Sequence, residues 1–200
     1  MRLFRRAAGA GDRWLIAGLG NPGRDYARSR HNAGAMALDE LGERLGATFK
    51  RHKSGCFVAE GDVAGERVVL ARPISYMNES GRPLRALASY YKIDAGRFVV
   101  LHDEIDLPFG EVRIKFGGGT AGHNGLKSLV SHLGTKDFAR VRIGVSRPRG
   151  DHGATGHVLG DFSAREREEL PALLGRAADA AQRIVETGVE GAMNEVNTRR

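Results

Sequence analysis

The sequence is poor in cysteine and has no long apolar run. Cys56 is the one cysteine in 200 residues, which excludes an intramolecular disulfide framework and a multi-cysteine zinc site. We therefore expect a reducing compartment, the cytoplasm. No apolar stretch approaches the roughly 18 residues of a transmembrane helix. The basic opening 1–13 also lacks the apolar segment of a secretory signal, and we interpret it as a flexible extension that precedes one domain over 14–200.

Acidic residues are fewer than basic ones. The chain has 24 Asp and Glu against 31 Lys and Arg, a formal net charge of +7. This excess suits a polyanionic partner such as nucleic acid, although a basic surface that serves only solubility explains it equally well. Hydrophobic residues make up 41% of the chain and charged residues 28%, as in ordinary globular proteins. Composition therefore predicts one soluble globular domain, with nucleic acid as a candidate partner.

Short β-branched runs alternate with segments of helical period. This alternation predicts a single-domain α/β fold, a twisted mixed β-sheet flanked by helices on both faces. A capping box, Ser163 with Glu166, opens the last helix, and we interpret the polar, glycine-containing segment 146–157 as a flexible loop. The predicted strands are 14–19, two within 56–73, 98–104, 111–116 and 138–145, and the predicted helices are 33–45, 78–91, 126–133 and 163–194.

The first strand is followed by a literal G-x-G-x-x-G, at Gly18, Gly20 and Gly23. In a dinucleotide site the helix starts within this turn, so that its N-terminus meets the pyrophosphate. Here Pro22 interrupts the pattern and the helical period begins only near residue 33. The acidic residues about 20 positions onward lie inside that helix rather than at a strand end. We therefore expect no nucleotide site, and we expect the glycines to present Asn21 to a crevice.

Polar residues cluster where strands and helices meet. In open α/β sheets the ligand crevice lies beyond the carboxyl ends of the strands, so these clusters are candidates for one site. Alone, the asparagines of the later clusters are equally well explained as helix N-caps. The chain has no G-x-S-x-G elbow, and its one cysteine lies in a strand-like run, which disfavours nucleophilic catalysis. The clusters are Asn21, His31–Asn32, Met77–Asn78, Asp103 and His123–Asn124.

Four motifs, in order along 15–160, resemble those of bacterial-type peptidyl-tRNA hydrolase. They are "GLGNPGRDYARSRHNAG", "SYMNESG", "HDEIDLPFG" and "GGGTAGHNGLKSL". The resemblance implies hydrolysis of the ester between a peptide and the 3′ ribose of tRNA, which returns tRNA to use after aborted translation. It also implies a monomer that needs no metal and no cofactor. The chain departs from the family at Ser29, usually threonine, at Thr120–Ala121, and in its longer basic start.

Carried over by motif, the resemblance implies roles for eleven residues. His31 is the catalytic base, Asp103 orients it, and Asn21 completes the catalytic set. An ester needs only a positioned water and a proton acceptor, and an imidazole, with an ordinary pKa of about 6.5, suits that task. Asn21, Asn124 or a backbone N–H near Gly122 could stabilise the oxyanion. The residues implied for the substrate and tRNA are Tyr26, Met77, Asn78, His123, Asn124, Lys115, Lys127 and Arg142.

Two other function classes stay open at this point. A protein on the same fold could bind RNA without hydrolysing anything, and a nucleotide-dependent enzyme would rest on the glycine pattern alone. Phosphate contacts carry no sequence information, so a general tRNA enzyme should place Lys and Arg on the rim of its cleft. The segment 140–150 supplies such residues, with Arg140 and Arg142 on one strand face. We expect free aminoacyl-tRNA to be spared through recognition of a blocked α-amino group.

Overall fold

The computed structural model describes residues 13–148 and 153–198. The basic extension predicted over 1–13 lies outside these residues except for Arg13, and so do residues 149–152 of the predicted loop. None of the described helices is both long enough and apolar enough to cross a membrane.

The strands form one seven-stranded sheet in the order β2-β3-β4-β1-β5-β7-β6. The four central strands, β4, β1, β5 and β7, run parallel, while β2, β3 and β6 pair antiparallel at the edges. The predicted mixed sheet is confirmed. The strands are β1 (Arg13–Gly18), β2 (Lys50–Arg51), β3 (Cys56–Val63), β4 (Glu66–Pro73), β5 (Phe98–Glu104), β6 (Val112–Phe116) and β7 (Ala139–Gly144).

Helices cover both faces of the sheet, as predicted. Residues of α1 and α5 are buried against one face, and residues of α2 and α3 against the other. Helix α5 is broken at Gly188, whose φ is 77°. The capping box is present, since Ser163 and Glu166 exchange hydrogen bonds of 2.6 and 3.2 Å at the start of α5. The helices are α1 (Ala33–Arg44), α2 (Gly81–Tyr91), α3 (Asn124–Leu133), α4 (Ala154–Leu159) and α5 (Ala164–Thr198).

Two predicted segments differ from the structure. Helix α2 begins at Gly81 rather than near residue 78, because a 3-10 turn takes Met77–Glu79. The second half of the segment predicted as a loop is helical, since α4 begins at Ala154. None of the α4 residues is buried, so α4 has no apolar period from which a helix could have been predicted.

The central strand β5 leads directly to a polar site. All seven of its residues are buried, and its apolar part packs between the two helical layers. Fully burying a leucine or valine side chain contributes about 1.5–3 kcal/mol, so this strand is firmly held. Its last three residues are nevertheless polar: His102, Asp103 and Glu104. Burial of such groups is costly unless each is hydrogen-bonded, and β5 therefore points to a structured polar network at its carboxyl end.

Glycines allow α1 to approach the sheet closely. A Cβ added at Gly34 would lie 2.1 Å from the Leu101 carbonyl oxygen, and one at Gly18 would lie 2.5 Å from the Gly34 carbonyl oxygen. At Gly20 an added Cβ would meet Ala35 at 2.9 Å. The first two glycines of the G-x-G-x-x-G pattern thus pack against a helix. This close packing brings the start of α1 against the end of β5.

We expect Gly34→Ala to destabilise the protein. In an open helix alanine is more favourable than glycine by about 0.5–1 kcal/mol, but at Gly34 the new methyl group would overlap the Leu101 carbonyl. Overpacking of this kind should lower the free energy of unfolding by about 1–3 kcal/mol, measured by urea denaturation. Gly156 in α4 is the matched control, because a Cβ there meets no atom within 4 Å. Equal stabilities of the two variants would contradict the close approach.

Candidate active site

His31 and Asp103 form a buried hydrogen-bonded pair at the carboxyl end of β5. His31 lies in a 3-10 turn, Arg30–Asn32, immediately before α1. Its Nδ1 is 2.9 Å from Asp103 Oδ1 and 3.0 Å from Oδ2. Because a carboxylate only accepts hydrogen bonds, the His31 Nδ1 carries the proton and donates it. In the neutral ring, Nε2 is therefore the nitrogen that can accept a proton.

A second histidine donates to the same carboxylate. His123 Nε2 is 2.9 Å from Asp103 Oδ1, while its Nδ1 accepts the backbone N–H groups of Gly125 and Leu126 at 3.1 and 3.3 Å. Since Nδ1 accepts, the ring proton is on Nε2. Burial by itself raises the pKa of the Asp103 carboxyl, but His123 and His31 outweigh it and hold that pKa well below its ordinary value. Asp103 is therefore an ionised acceptor of two imidazole donors.

His102 supports this arrangement from inside the sheet. Its Nδ1 donates to the Asp103 carbonyl oxygen at 2.7 Å, and its ring meets that of His123 edge-on at 5.0 Å. The buried Nε2 of His102 has no hydrogen-bond partner among the described residues. Burial lowers the pKa of His102 to about 3, so the ring is neutral at pH 7. His102 thus packs against His123 without adding a charge.

A metal is one candidate for such a cluster. The ligand atoms of His31, Asp103 and His123 lie within 4.8 Å of one another. A metal bound to the two histidine nitrogens that face Asp103 would require both to be deprotonated, whereas their 2.9 Å hydrogen bonds to the carboxylate assign a proton to each. The cluster is fully accounted for as one carboxylate with two imidazole donors.

Asn32 fixes the loop that carries Asn21. The Asn32 side chain accepts the Asn21 N–H at 2.8 Å and donates to the Asn21 carbonyl oxygen at 2.9 Å. The Asn21 Oδ1 in turn accepts the Met77 N–H at 2.8 Å, which leaves the Asn21 Nδ2 as a donor. The sequence indicated Asn32 only as the neighbour of His31. Its supporting role depends on a loop contact across the site that spacing does not reveal.

These groups lie in one cleft of about 440 Å³. Every residue predicted for catalysis or for the cleft wall lines it. Asn78 and Asn124 are exposed there, and the N-cap interpretation is wrong for both, because Ser80 precedes α2 and His123 caps α3. The predicted residues that line the cleft are Asn21, Tyr26, His31, Met77, Asn78, Asp103, His123 and Asn124.

One wall of the cleft was missed by the sequence analysis. Ala154, Thr155, Val158 and Leu159 of α4 line the same cleft as His31 and His123. They were missed because this segment was predicted to be a loop. Tyr76, which is 57% exposed and also lines the cleft, was missed as well, although it directly precedes the predicted Met77–Asn78 pair.

The predicted basic residues lie outside the cleft lining. Lys115 on β6 and Lys127 on α3 are exposed, and Arg142 Nε lies 3.0 Å from Glu104 Oε2. The expectation that Arg140 lies on the rim is wrong. Arg140 is buried and donates to the Gly118 and Gly119 carbonyl oxygens at 2.8 and 2.7 Å. It therefore holds the glycine loop that precedes His123.

Comparison with known proteins identifies one family. The family model for peptidyl-tRNA hydrolase matches residues 15–200. The peptidyl-tRNA hydrolase of Frankia casuarinae is 54% identical over 90% of this chain and 92% of its own length, and that of Mycobacterium marinum is 53% identical over 92% and 96%. The crystal structure of peptidyl-tRNA hydrolase from Acinetobacter baumannii superimposes with a TM-score of 0.87 at 35% identity, covering 96% of this chain and 98% of that one.

Proposed function

The chain belongs to the peptidyl-tRNA hydrolase family and is an enzyme that hydrolyses peptidyl-tRNA, and we propose that His31 is its general base. The observation that carries this proposal is the 2.9 Å hydrogen bond from His31 Nδ1 to Asp103, which makes Nε2, at the cleft, the nitrogen through which the neutral ring accepts a proton. A neutral imidazole in this tautomer can take a proton from water. General-base assistance of this kind contributes about 10²–10⁴ in rate.

In the proposed reaction His31 first accepts a proton from water and later returns it to the leaving group. His31 Nε2 accepts a proton from water as the water oxygen bonds to the ester carbonyl carbon. Asp103 stabilises the imidazolium that forms, without itself taking the proton. As the tetrahedral intermediate collapses, the C–O bond to the 3′ ribose breaks and His31 returns the proton to the leaving ribose oxygen. The products are a peptide carboxylic acid and tRNA with a free 3′ end.

Asn21 is our candidate for stabilising the oxyanion. Its Oδ1 is occupied by the Met77 N–H, so the amide presents its Nδ2 hydrogens on the other side. Both backbone groups of Asn21 are held by Asn32, which preorganises this donor before substrate binds. One preorganised donor is typically worth about 10²–10³ in kcat. Asn124 and the backbone at Gly122 line the same cleft and remain alternatives.

We assign the remaining predicted residues to binding. Tyr26, Met77 and Asn78 line the cleft and are placed to contact the peptide or the terminal ribose. Lys115, Lys127 and Arg142 would contact tRNA phosphates outside it. His123 we assign to positioning, since both of its ring nitrogens are committed to Asp103 and to α3.

Deacylation of an N-acetyl-aminoacyl-tRNA by the purified protein tests the function directly. Release from the blocked substrate, with the unblocked aminoacyl-tRNA spared, is the expected result. Salt-sensitive tRNA binding with no release would instead favour the alternative, an RNA-binding protein on this fold without turnover.

Lys115→Gln should weaken tRNA binding without altering the chemistry. Lys115 is exposed on the edge strand β6, and its ammonium lies beside Gly118 of the loop that leads to His123. We expect KM to rise at low salt, kcat to stay unchanged, and the slope of log(kcat/KM) against log salt to flatten by about one. Lys50→Gln, on the opposite sheet edge β2, is the matched charge control. Identical salt slopes for the two variants would contradict a phosphate contact at Lys115.

We also propose that the protein acts as a cytoplasmic monomer. The cleft is assembled from residues of one chain, so its chemistry requires no partner subunit. The substrate of the family is a product of translation. The single cysteine, Cys56, is buried and unpaired, as is usual in a reducing compartment.

A further inference from the structure

Helix α4 forms a wall of the cleft but has little packing of its own. Ala154, Thr155, Val158 and Leu159 face the cleft, and none of the α4 residues is buried. Apolar burial, which positions the other helices, therefore contributes little to the placement of this one. Polar contacts therefore hold the wall: His157 of α4 donates from Nε2 to the Val145 carbonyl oxygen at 3.0 Å, and the Arg30 side chain makes three contacts at the end of α4.

The Arg30 guanidinium binds the carboxyl end of α4. Its Nη1 lies 2.7 Å from the Asp161 carbonyl oxygen, 3.3 Å from that of Gly160 and 3.4 Å from that of His157. Gly160 and Asp161 directly follow the last residue of α4, and a cation is favourable at the carboxyl end of a helix. The Arg30 backbone N–H adds a bond of 3.0 Å to the Gly160 carbonyl oxygen. Residue 30 thus satisfies the end of α4 through both its main chain and its side chain.

The other edge of the same guanidinium is fixed to α5. Arg30 Nη2 lies 2.6 Å from Glu166 Oε2, and Glu166 is the capping-box residue paired with Ser163. The ring of Phe162, which is buried, lies under the guanidinium at 5.6 Å. The side chains of Arg30 and Glu166 are only 12% and 18% exposed, so solvent screens this ion pair less than a surface pair. Arg30 is therefore anchored on a helix that belongs to the core.

Arg30 directly precedes His31 in the same 3-10 turn. We propose that Arg30 is a positioning residue that sets the separation between the α4 wall and His31, and thereby the affinity for the peptide part of the substrate. The inference rests on the proposed function. It requires arginine rather than lysine, because Arg30 also donates from Nε to Glu166 Oε1 at 3.4 Å, and one ammonium group cannot reach the α4 carbonyls and both Glu166 oxygens in a fixed geometry.

Arg30→Lys tests the proposal at constant charge. Arg28→Lys is the matched control, since the Arg28 side chain is 80% exposed and its one ion pair, with Asp161, is 3.7 Å long. We expect the KM of Arg30→Lys for N-acetyl-phenylalanyl-tRNA to rise about tenfold while kcat changes less than about twofold. The KM for N-acetyl-glycyl-tRNA should rise less, because its small side chain gains little from the wall. The salt dependence should match that of the unaltered protein.

Hydrogen exchange of the α4 amides gives a readout that does not depend on activity. Exchange in α4 should be faster in Arg30→Lys and unchanged in Arg28→Lys, with α1 and β5 protected in both. A loss of apparent kcat with unchanged KM would indicate only a smaller folded fraction and would overturn the proposal. Unchanged α4 exchange, or equal KM values in the two variants, would also overturn it. Absence of turnover in the unaltered protein would contradict the proposed function instead, while the exchange measurement still decides the role of Arg30.

Discussion

His31→Ala should lower kcat for an N-acetyl-aminoacyl-tRNA by about 10²–10⁴, with KM nearly unchanged. The expectation follows from the tautomer. Asp103 accepts the Nδ1 proton of His31, so Nε2 is the free acceptor at the cleft, and alanine removes it. The tRNA contacts that we propose lie on other elements. An interaction made only in the transition state therefore disappears, which lowers kcat and kcat/KM together.

His52→Ala is the matched control for this measurement. His52 lies in the turn before β3, outside the cleft lining, and its Nδ1 accepts the Ser54 N–H at 3.1 Å. Single-turnover rates at saturating enzyme would separate chemistry from product release. A His31→Ala variant that retained more than about a tenth of the rate would show that another group removes the proton from water.

The sheet and the position of the site follow from the sequence because both depend on local patterns. The run that became β1 is short and apolar, and the run that became β5 begins with apolar and β-branched residues, as is typical of buried strands. The polar residues after them had to meet, since the carboxyl ends of parallel strands share one edge. This reasoning predicts that Asn21 and Asp103 lie close together, and both line the cleft. Local pattern also argues against a dinucleotide site, because Pro22 interrupts the glycine motif and the helical period begins only near residue 33.

What the sequence did not reveal depends on contacts between distant segments. Alternation correctly put Arg140 on a strand face, but it cannot say that the glycine loop covers that face and buries the guanidinium. The sequence also did not reveal that His123 is a second donor to Asp103. The ring proton of His123 is on Nε2 because its Nδ1 accepts backbone N–H groups at the start of α3, and this contact cannot be inferred from spacing. Helix α4 was missed because its placement depends on Arg30, far away in the sequence, rather than on an apolar stripe.

Asp103→Asn should lower kcat almost as much as loss of His31, by about 10²–10⁴. Both Asp103 oxygens face the His31 Nδ1, at 2.9 and 3.0 Å, and Oδ1 also accepts from His123. An asparagine replaces one oxygen with an NH₂ group, which must meet a ring nitrogen that already carries a proton. Relief of that clash favours the other His31 tautomer, with the proton on Nε2, where it blocks the base. Asp106→Asn, nearby but paired with Arg147, is the control, and thermal unfolding verifies that each variant is folded.

The double variant distinguishes catalysis from structure. If Asp103 acts through His31, then Asp103→Asn should have little further effect on kcat in a His31→Ala background, because the residue that it orients is already gone. If instead Asp103 mainly stabilises the fold at the end of β5, its cost should be similar in both backgrounds and should accompany a loss of thermal stability. Additive losses in kcat would thus refute the proposed pairing, and non-additive losses would establish His31 and Asp103 as one catalytic unit, with His123 fixing the carboxylate from its other side.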